Sequence, residues 1–268
     1  MPITINSRFS FFLNQPSDAL LHFEAAMIPE QDILSCDTQM GEAMHFARVP
    51  AQDNIGERIW IRSEGYFEVA YSASVEVNRQ VPDIAGLGAI LPHDLPGDCV
   101  KYLFDSRYCQ GDRLHSFVYD NFGELTGGEK VAAIRDWISR EMVYEPGSSD
   151  ARTTAIDSFV ERRGICRDFA HVLIALCRAA TIPARYVSCY APGVNPPDFH
   201  AVAEVFLADP TVPGGGAWYM VDATGMADPA KAVKIGVGRD AADVSFLTIF
   251  GPAQFNMSEV QVSETPAT

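Results

Sequence analysis

The chain has 268 residues, enough for one large or two modest domains with a sizeable core. It is 47% hydrophobic and 21% charged, the balance of an ordinary globular protein. Its formal net charge is −15 and it has no lysine or arginine run, which argues against nucleic acid or an anionic membrane as partner.

Residues 1–95 read as β. Phe9, Phe11 and Leu13 share one face of a predicted first strand, with Phe12 interrupting the alternation. Phe67, Val69, Tyr71, Ala73, Val75 and Val77 alternate with Glu68, Ala70, Ser72, Ser74 and Glu76, the pattern of a strand with one buried face. Arg58 to Arg62 predicts the strand before it, joined through Ser63-Glu64-Gly65 as a hairpin. Several such strands suggest a sandwich or small barrel-like sheet. His22, His45 and His93 sit in no cluster of metal-ligand types and read as ordinary histidines. Pro82 to Pro96, rich in proline and glycine, reads as a linker. The N-terminus lacks the charged start and apolar core of a signal peptide, and no apolar run approaches a membrane span.

A second region starts near Val100. Thr126 and Glu129 form a capping-box pattern that opens a helix with Val131, Ile134, Trp137 and Ile138 on one face. Pro146-Gly147 is a turn, and Thr154 with Asp157 caps another helix running through Phe159 to Arg162. That helix feeds a third, from Cys166 to Ala180, with almost no polar side. At about 100° per residue only Arg167, His171 and Arg178 share a narrow polar stripe, with Asp168 beside it. A helix this apolar is buried and central. Gly164 breaks the preceding run, so Cys166 falls in the first turn, where unpaired N–H groups and the helix dipole favour negative charge. Thiols are activated in such positions, although a free cysteine is also a common core residue. Cys177, about three turns along the same face, reads as the latter.

Ala184 to Tyr190 predicts a strand, and Pro192 to Pro197 an irregular loop suited to lining a substrate. Phe199 to Leu207 is a strand pattern with His200 at its entrance. Pro213 to Gly216 is a tight loop, and Trp218 to Val221 a strand that ends in Asp222. Helices followed by strands predict an α+β domain with an antiparallel sheet. A thiolate nucleophile needs a base within reach, and the base needs an orienting acceptor. Cys166, His200 and Asp222 supply those types in that order. His171 lies about 140° round the helix from Cys166 and is a poor base. A lone aspartate at a strand end also serves as a turn former, with Thr224 two residues on. Arg239 and Asp243 suit either an ion pair or the cleft wall. Residues 246–262 allow one or two more strands, and residues 263–268 are expected to fray. The six cysteines have no CxxC spacing, which favours reduced thiols in a cytoplasm over disulfides or a zinc site.

Four stretches carry a resemblance: Gly164-Ile-Cys-Arg-Asp-Phe-Ala-His171, Ile182-Pro-Ala-Arg-Tyr-Val187, Asp198-Phe-His-Ala201 and Val221-Asp-Ala-Thr224. Together they resemble the transglutaminase-like superfamily, and within it the bacterial cysteine-protease-like branch. Lys101 to Leu114 and Ile235 to Val244 are similar to the segments before and after that core. The resemblance implies an α+β fold. An N-terminal β-sandwich-like domain over 1–95 would precede a papain-like, transglutaminase-like catalytic core over 96–268, in which a buried helix bearing the cysteine packs on an antiparallel sheet bearing the histidine and aspartate. It implies Cys166, His200 and Asp222 as the triad of a thiol enzyme. That enzyme would attack peptide or isopeptide amides through a thioester, with hydrolysis favoured over crosslinking, on a peptide or protein substrate and with no cofactor or metal. The family often has tryptophan two residues after the histidine, where this chain has Val202. No residue set resembles the calcium site of the vertebrate enzymes. The alternatives are a catalytically silent peptide-binding module of the same fold, and a scaffold whose β domain pairs with a partner chain.

Overall fold

A computed structural model describes residues 1–265. Its first sheet is built on two long strands, β1 (Ile3–Leu21) and β4 (Glu57–Val77), which pair antiparallel from end to end. Between them in the chain, β2 (Gln31–Met40) pairs with the later half of β4 and β3 (His45–Pro50) with its earlier half. Phe9, Phe11 and Leu13 are buried as the alternation requires, and Phe12 faces outward at 43% exposure. The expected hairpin at Ser63–Gly65 does not form, because β4 runs straight through it. Ile59, Ile61 and Ser63 are in phase with Phe67, Val69 and Tyr71, so one buried face continues across the turn-like residues. The irregularity is taken up locally. Gly65 adopts φ +77°, which glycine tolerates, and Asn14, Gln15 and Pro16 of β1 stand opposite Glu64 alone.

Residues 78–96 carry two short 3-10 turns and one antiparallel bridge, in which Gly88 pairs with Ala208. There follow α1 (Gly97–Val100), α2 (His115–Phe122), α3 (Gly127–Glu141), β5 (Val143–Tyr144), α4 (Ala155–Glu161), β6 (Arg163–Gly164) and α5 (Cys166–Ala179). The Thr154 and Asp157 capping box is made in full. That of Thr126 is not: its side chain caps nothing, and the N–H of Gly128 is taken instead by the Leu87 carbonyl at 2.9 Å.

The second sheet orders its antiparallel strands β10 (Val233–Gly238), β7 (Ala184–Tyr190), β8 (His200–Ala208) and β9 (Gly216–Val221). Ala201, Ala203, Val205 and Leu207 of β8 pack onto Phe169, Leu173, Leu176 and their neighbours on α5. The two alanines let the helix approach closely. Val202, from the other face of β8, packs with Val187, Cys189 and Val237. After α6 (Ala241–Val244), the chain returns as β11 (Leu247–Phe250) and β12 (Ala253–Glu264). Both pair with β1, so the expected catalytic unit over 96–268 gives up its last two strands to the first sheet. The physical reason is the free edge of β1, along which Val260 and Val262 join the core of Ile3, Ile5 and Phe9. Ser263 and Glu264, expected to fray, pair with Thr4 and Ile3; residues 266–268 lie outside the described residues.

Candidate active site

Cys166 is the first residue of α5, and the turn before it is folded back onto the helix. The Asp168 carboxylate accepts hydrogen bonds from the Ile165 N–H at 2.8 Å and the Ser149 hydroxyl at 2.6 Å. Gly164 makes that turn possible, because a Cβ there would lie 2.5 Å from the Cβ of the buried Asp168 and 2.9 Å from its Oδ2. Gly164→Ala is therefore expected to cost about 1–3 kcal/mol through overpacking. Thermal unfolding reads this as a drop of several degrees in Tm, and an unchanged Tm would mean that Asp168 yields freely.

The structure brings Cys166, His200 and Asp222 together. His200, on the first residue of β8, is 1% exposed, and its Nε2 lies 3.0 Å from Asp222 Oδ2. Its Nδ1 has no hydrogen-bond partner within the protein and is left to face the Cys166 thiol. The Sγ itself lies 4.0 Å from the Phe199 carbonyl oxygen. Asp222, just past the end of β9, does two jobs at once. Its Oδ1 accepts from the Thr224 N–H at 2.7 Å, which makes the local turn, and its Oδ2 accepts from the Ala227 N–H at 2.8 Å as well as from His200. Burial pushes the His200 imidazolium toward neutrality, but the bonds and charges of Asp222 and Cys166 outweigh it and hold the pKa up at about 9. Burial alone would raise the Asp222 carboxyl, and His200 more than offsets it, so the acid sits below its usual range. Of the three, only the cysteine is more than marginally open to solvent.

Other candidates separate from this site. His171 is fully buried, stacked on Tyr108 and tilted against Tyr186 with centroids 5.2 Å away in each case, and its Nε2 accepts from the Ala241 N–H. Burial holds it neutral. Cys177 is buried in the core with its pKa pushed up to about 12. Arg239 and Asp243 form an ion pair at 3.0 Å across one helical turn of spacing. Val202 lies inside a packed cluster, so the missing tryptophan changes that packing. Among the described residues, no group of three His, Cys, Asp or Glu side chains is placed to hold a metal, and no helix is long and apolar enough to cross a membrane.

One residue escaped the sequence. Burial, and then the nearby Cys166, push the Tyr144 phenol up to about 12, and its ring packs on Phe169 with centroids 6.0 Å apart. It is carried there by the two-residue parallel pairing of β5 with β6, Val143 opposite Arg163 and Tyr144 opposite Gly164. A lone tyrosine before Glu-Pro-Gly carries no periodic signal that could have revealed this.

The model of the transglutaminase-like superfamily matches residues 116–223, a stretch that contains Cys166, His200 and Asp222. A crystal structure of a candidate cysteine protease from Cytophaga hutchinsonii is 35% identical, with a TM-score of 0.89, over 100% of this chain and 92% of that one. This chain belongs to the transglutaminase-like superfamily. Its likeness to that protein places it near the cysteine-protease-like branch of the superfamily. Uncharacterized proteins of Mycobacterium leprae and Mycobacterium tuberculosis are each 32% identical, over 125 and 152 residues. The first match takes in 43% of this chain and 41% of that protein, the second 51% and 48%. This chain thus spans under half the length of those curated relatives.

Proposed function

We propose that this transglutaminase-like protein is a thiol acyl-transfer enzyme acting on peptide or isopeptide amides, with Cys166 as nucleophile, His200 as acid and base, and Asp222 as its orienting acceptor. The reading is carried by one observation: Asp222 claims one ring nitrogen of His200, and the other, otherwise unbonded, faces the half-buried thiol at a helix N-terminus. The thiolate attacks the amide carbonyl. The imidazolium then gives its proton to the departing amine as the C–N bond breaks, leaving a thioester on Cys166. Water, losing a proton to His200, attacks the thioester; the C–S bond breaks, releasing the acid and the thiolate. An amine in place of water would give transamidation. Hydrolysis is the favoured outcome because water is always present, and the Cytophaga hutchinsonii relative is described as a protease candidate. No cofactor takes part. All six cysteines are free and four are buried, which suits a reducing compartment such as the cytoplasm.

The direct test is a panel of peptide amides, with and without an amine acceptor, quenched in acid and weighed as intact protein. An acyl adduct on Cys166 together with turnover is expected. A thiol that alkylates readily yet gives neither, across the panel, would make this a silent binding module.

The pH profile follows from His200. Its proton is held up to about 9 against an ordinary 6.5, so kcat/KM should fall on the alkaline side with an apparent pKa near 9. The folded value is the raised one, so the pair's contribution to stability is complete below 6.5 and fades as the pH climbs through 9. An alkaline limb near 6.5 would contradict the ion-pair account.

A further inference from the structure

We infer that the cavity beside Asp198 is a subsite for a lysine or arginine side chain of the substrate, so that the protein selects amides flanked by a basic residue; the inference rests on the thiol acyl-transfer reading.

The cavity has a volume of about 210 Å³ and lies between the loop that precedes β8 and the later part of β12. Val194, Pro197, Val260 and Val262 give it apolar walls, and Asp198 gives it a charge. Drug-sized ligands fill pockets of about 300–1,000 Å³, so this space suits one side chain rather than a whole ligand. A lysine or arginine lays its methylene stem along apolar surface and keeps its charged head on a polar group. Among the described residues, no lysine or arginine of the protein itself lines the cavity. The wall from β12 gives the first sheet a part in choosing the substrate.

Three carboxylates lie close in the chain to a member of the triad, and two of them are occupied. Asp168 holds the turn into α5, and Asp222 orients His200. The third, Asp198, accepts a hydrogen bond from the Phe199 N–H at 2.8 Å, and among the described residues no lysine or arginine pairs with it. Partial desolvation lifts its carboxyl above the ordinary range, a cost that a cation in the cavity relieves.

The cavity is also close to the chemistry. Asp198 is bonded to Phe199, whose carbonyl oxygen lies 4.0 Å from Cys166 Sγ. Bond geometry then keeps the Asp198 Cα within about 10 Å of Sγ, the span of about three residues of an extended peptide. The net charge of −15 draws any cationic peptide toward the protein but selects no position along it. One carboxylate in a walled cavity does select a position. No covalent bond forms at the subsite, which only holds the peptide while Cys166 attacks.

The test uses peptide amides that carry lysine, norleucine or glutamate in turn at each of the three positions on either side of the scissile bond. Norleucine keeps the stem of lysine and removes the ammonium. At one position kcat/KM should be about tenfold or more higher for lysine than for norleucine, with a ratio near one at the others. Asp198→Asn, which keeps an acceptor for the Phe199 N–H, should bring that ratio down to about one. Asp198→Lys should turn the preference at the same position toward glutamate. Each ratio is taken within one protein, so a general loss of activity cancels. A wild type that turns over peptides with no lysine preference, or with one spread evenly over all positions, overturns the subsite and leaves the acyl-transfer reading standing. So does a preference that survives Asp198→Asn. A wild type that turns over none of the peptides overturns the acyl-transfer reading and this inference with it.

Discussion

Asp222→Asn should lower kcat by about two orders of magnitude or more, and Cys166→Ala should leave no turnover at all. Each carboxylate oxygen of Asp222 has its own work. Oδ1 takes the Thr224 N–H, while Oδ2 takes both His200 Nε2 and the Ala227 N–H. Asparagine can keep an oxygen on the Thr224 side, but its NH2 then meets two donors. The imidazole escapes by moving its proton to Nδ1, which turns an N–H toward the thiol and removes the base. If the amide flips instead, the turn loses its acceptor. Asparagine can serve a turn as aspartate does. The shared Oδ2 argues for a cost of about 1–3 kcal/mol as well, the usual result of leaving a buried donor unpaired. Measuring kcat and Tm together separates the two effects. Wild-type kcat in Asp222→Asn would release the aspartate from catalysis, and turnover surviving in Cys166→Ala would move the chemistry away from the thiol.

The largest loss of stability is expected from Glu204→Gln, about 3–5 kcal/mol. Glu204 lies on β8 with 1% exposure, between two buried cations. Its Oε1 is 2.6 Å from Lys234 Nζ, and its Oε2 is 2.7 Å from an Arg185 guanidinium nitrogen. Lys234 also pairs with Glu30, and Arg185 with Asp53 at 3.2 Å. Glutamine has the same shape, yet it offers an oxygen to one cation and points an NH2 at the other. A lysine and an arginine out of water then lack half their compensation. Burial alone would raise the Glu204 carboxyl, but Lys234 and Arg185 hold it down at about 2. Its folded pKa is the lower one, so this stabilisation is present above the ordinary 4.5 and is lost as the pH falls toward 2. Denaturant melts at pH 7 and pH 3 should show the gap between wild type and variant narrowing in acid. A difference below about 1 kcal/mol at pH 7 would mean that water reaches the cluster.

α5, its buried face, the strand that opens on His200 and the strand that leads to Asp222 were legible from local patterns, because periodicity and chain order need only neighbours. The Thr154 capping box was legible for the same reason. What was not legible depends on segments far apart. β4 looked like two strands because Ser63-Glu64-Gly65 has turn chemistry, yet the unbroken phase from Ile59 to Val75 overrode it. Tyr144 comes beside Gly164, just before Cys166, only through a pairing of two residues with two, about twenty positions apart in the chain. Arg185, Glu204 and Lys234 sat in apolar strands with no sign of one another, since their spacing spans three strands of the sheet.

The pairing of Ile3 with Glu264 has a consequence for biosynthesis. The first strand leaves the ribosome more than two hundred residues before the strands that flank its free side, β11 and β12. Everything between, the helix with the thiol and the sheet with the imidazole included, is made while β1 still shows an open edge and part of the surface formed by Ile3, Ile5 and Phe9. The first sheet to be started is the last to be finished. The nascent chain is at its most adhesive through most of its own translation, and the closing strand ends that exposure only when residues 253–264 emerge.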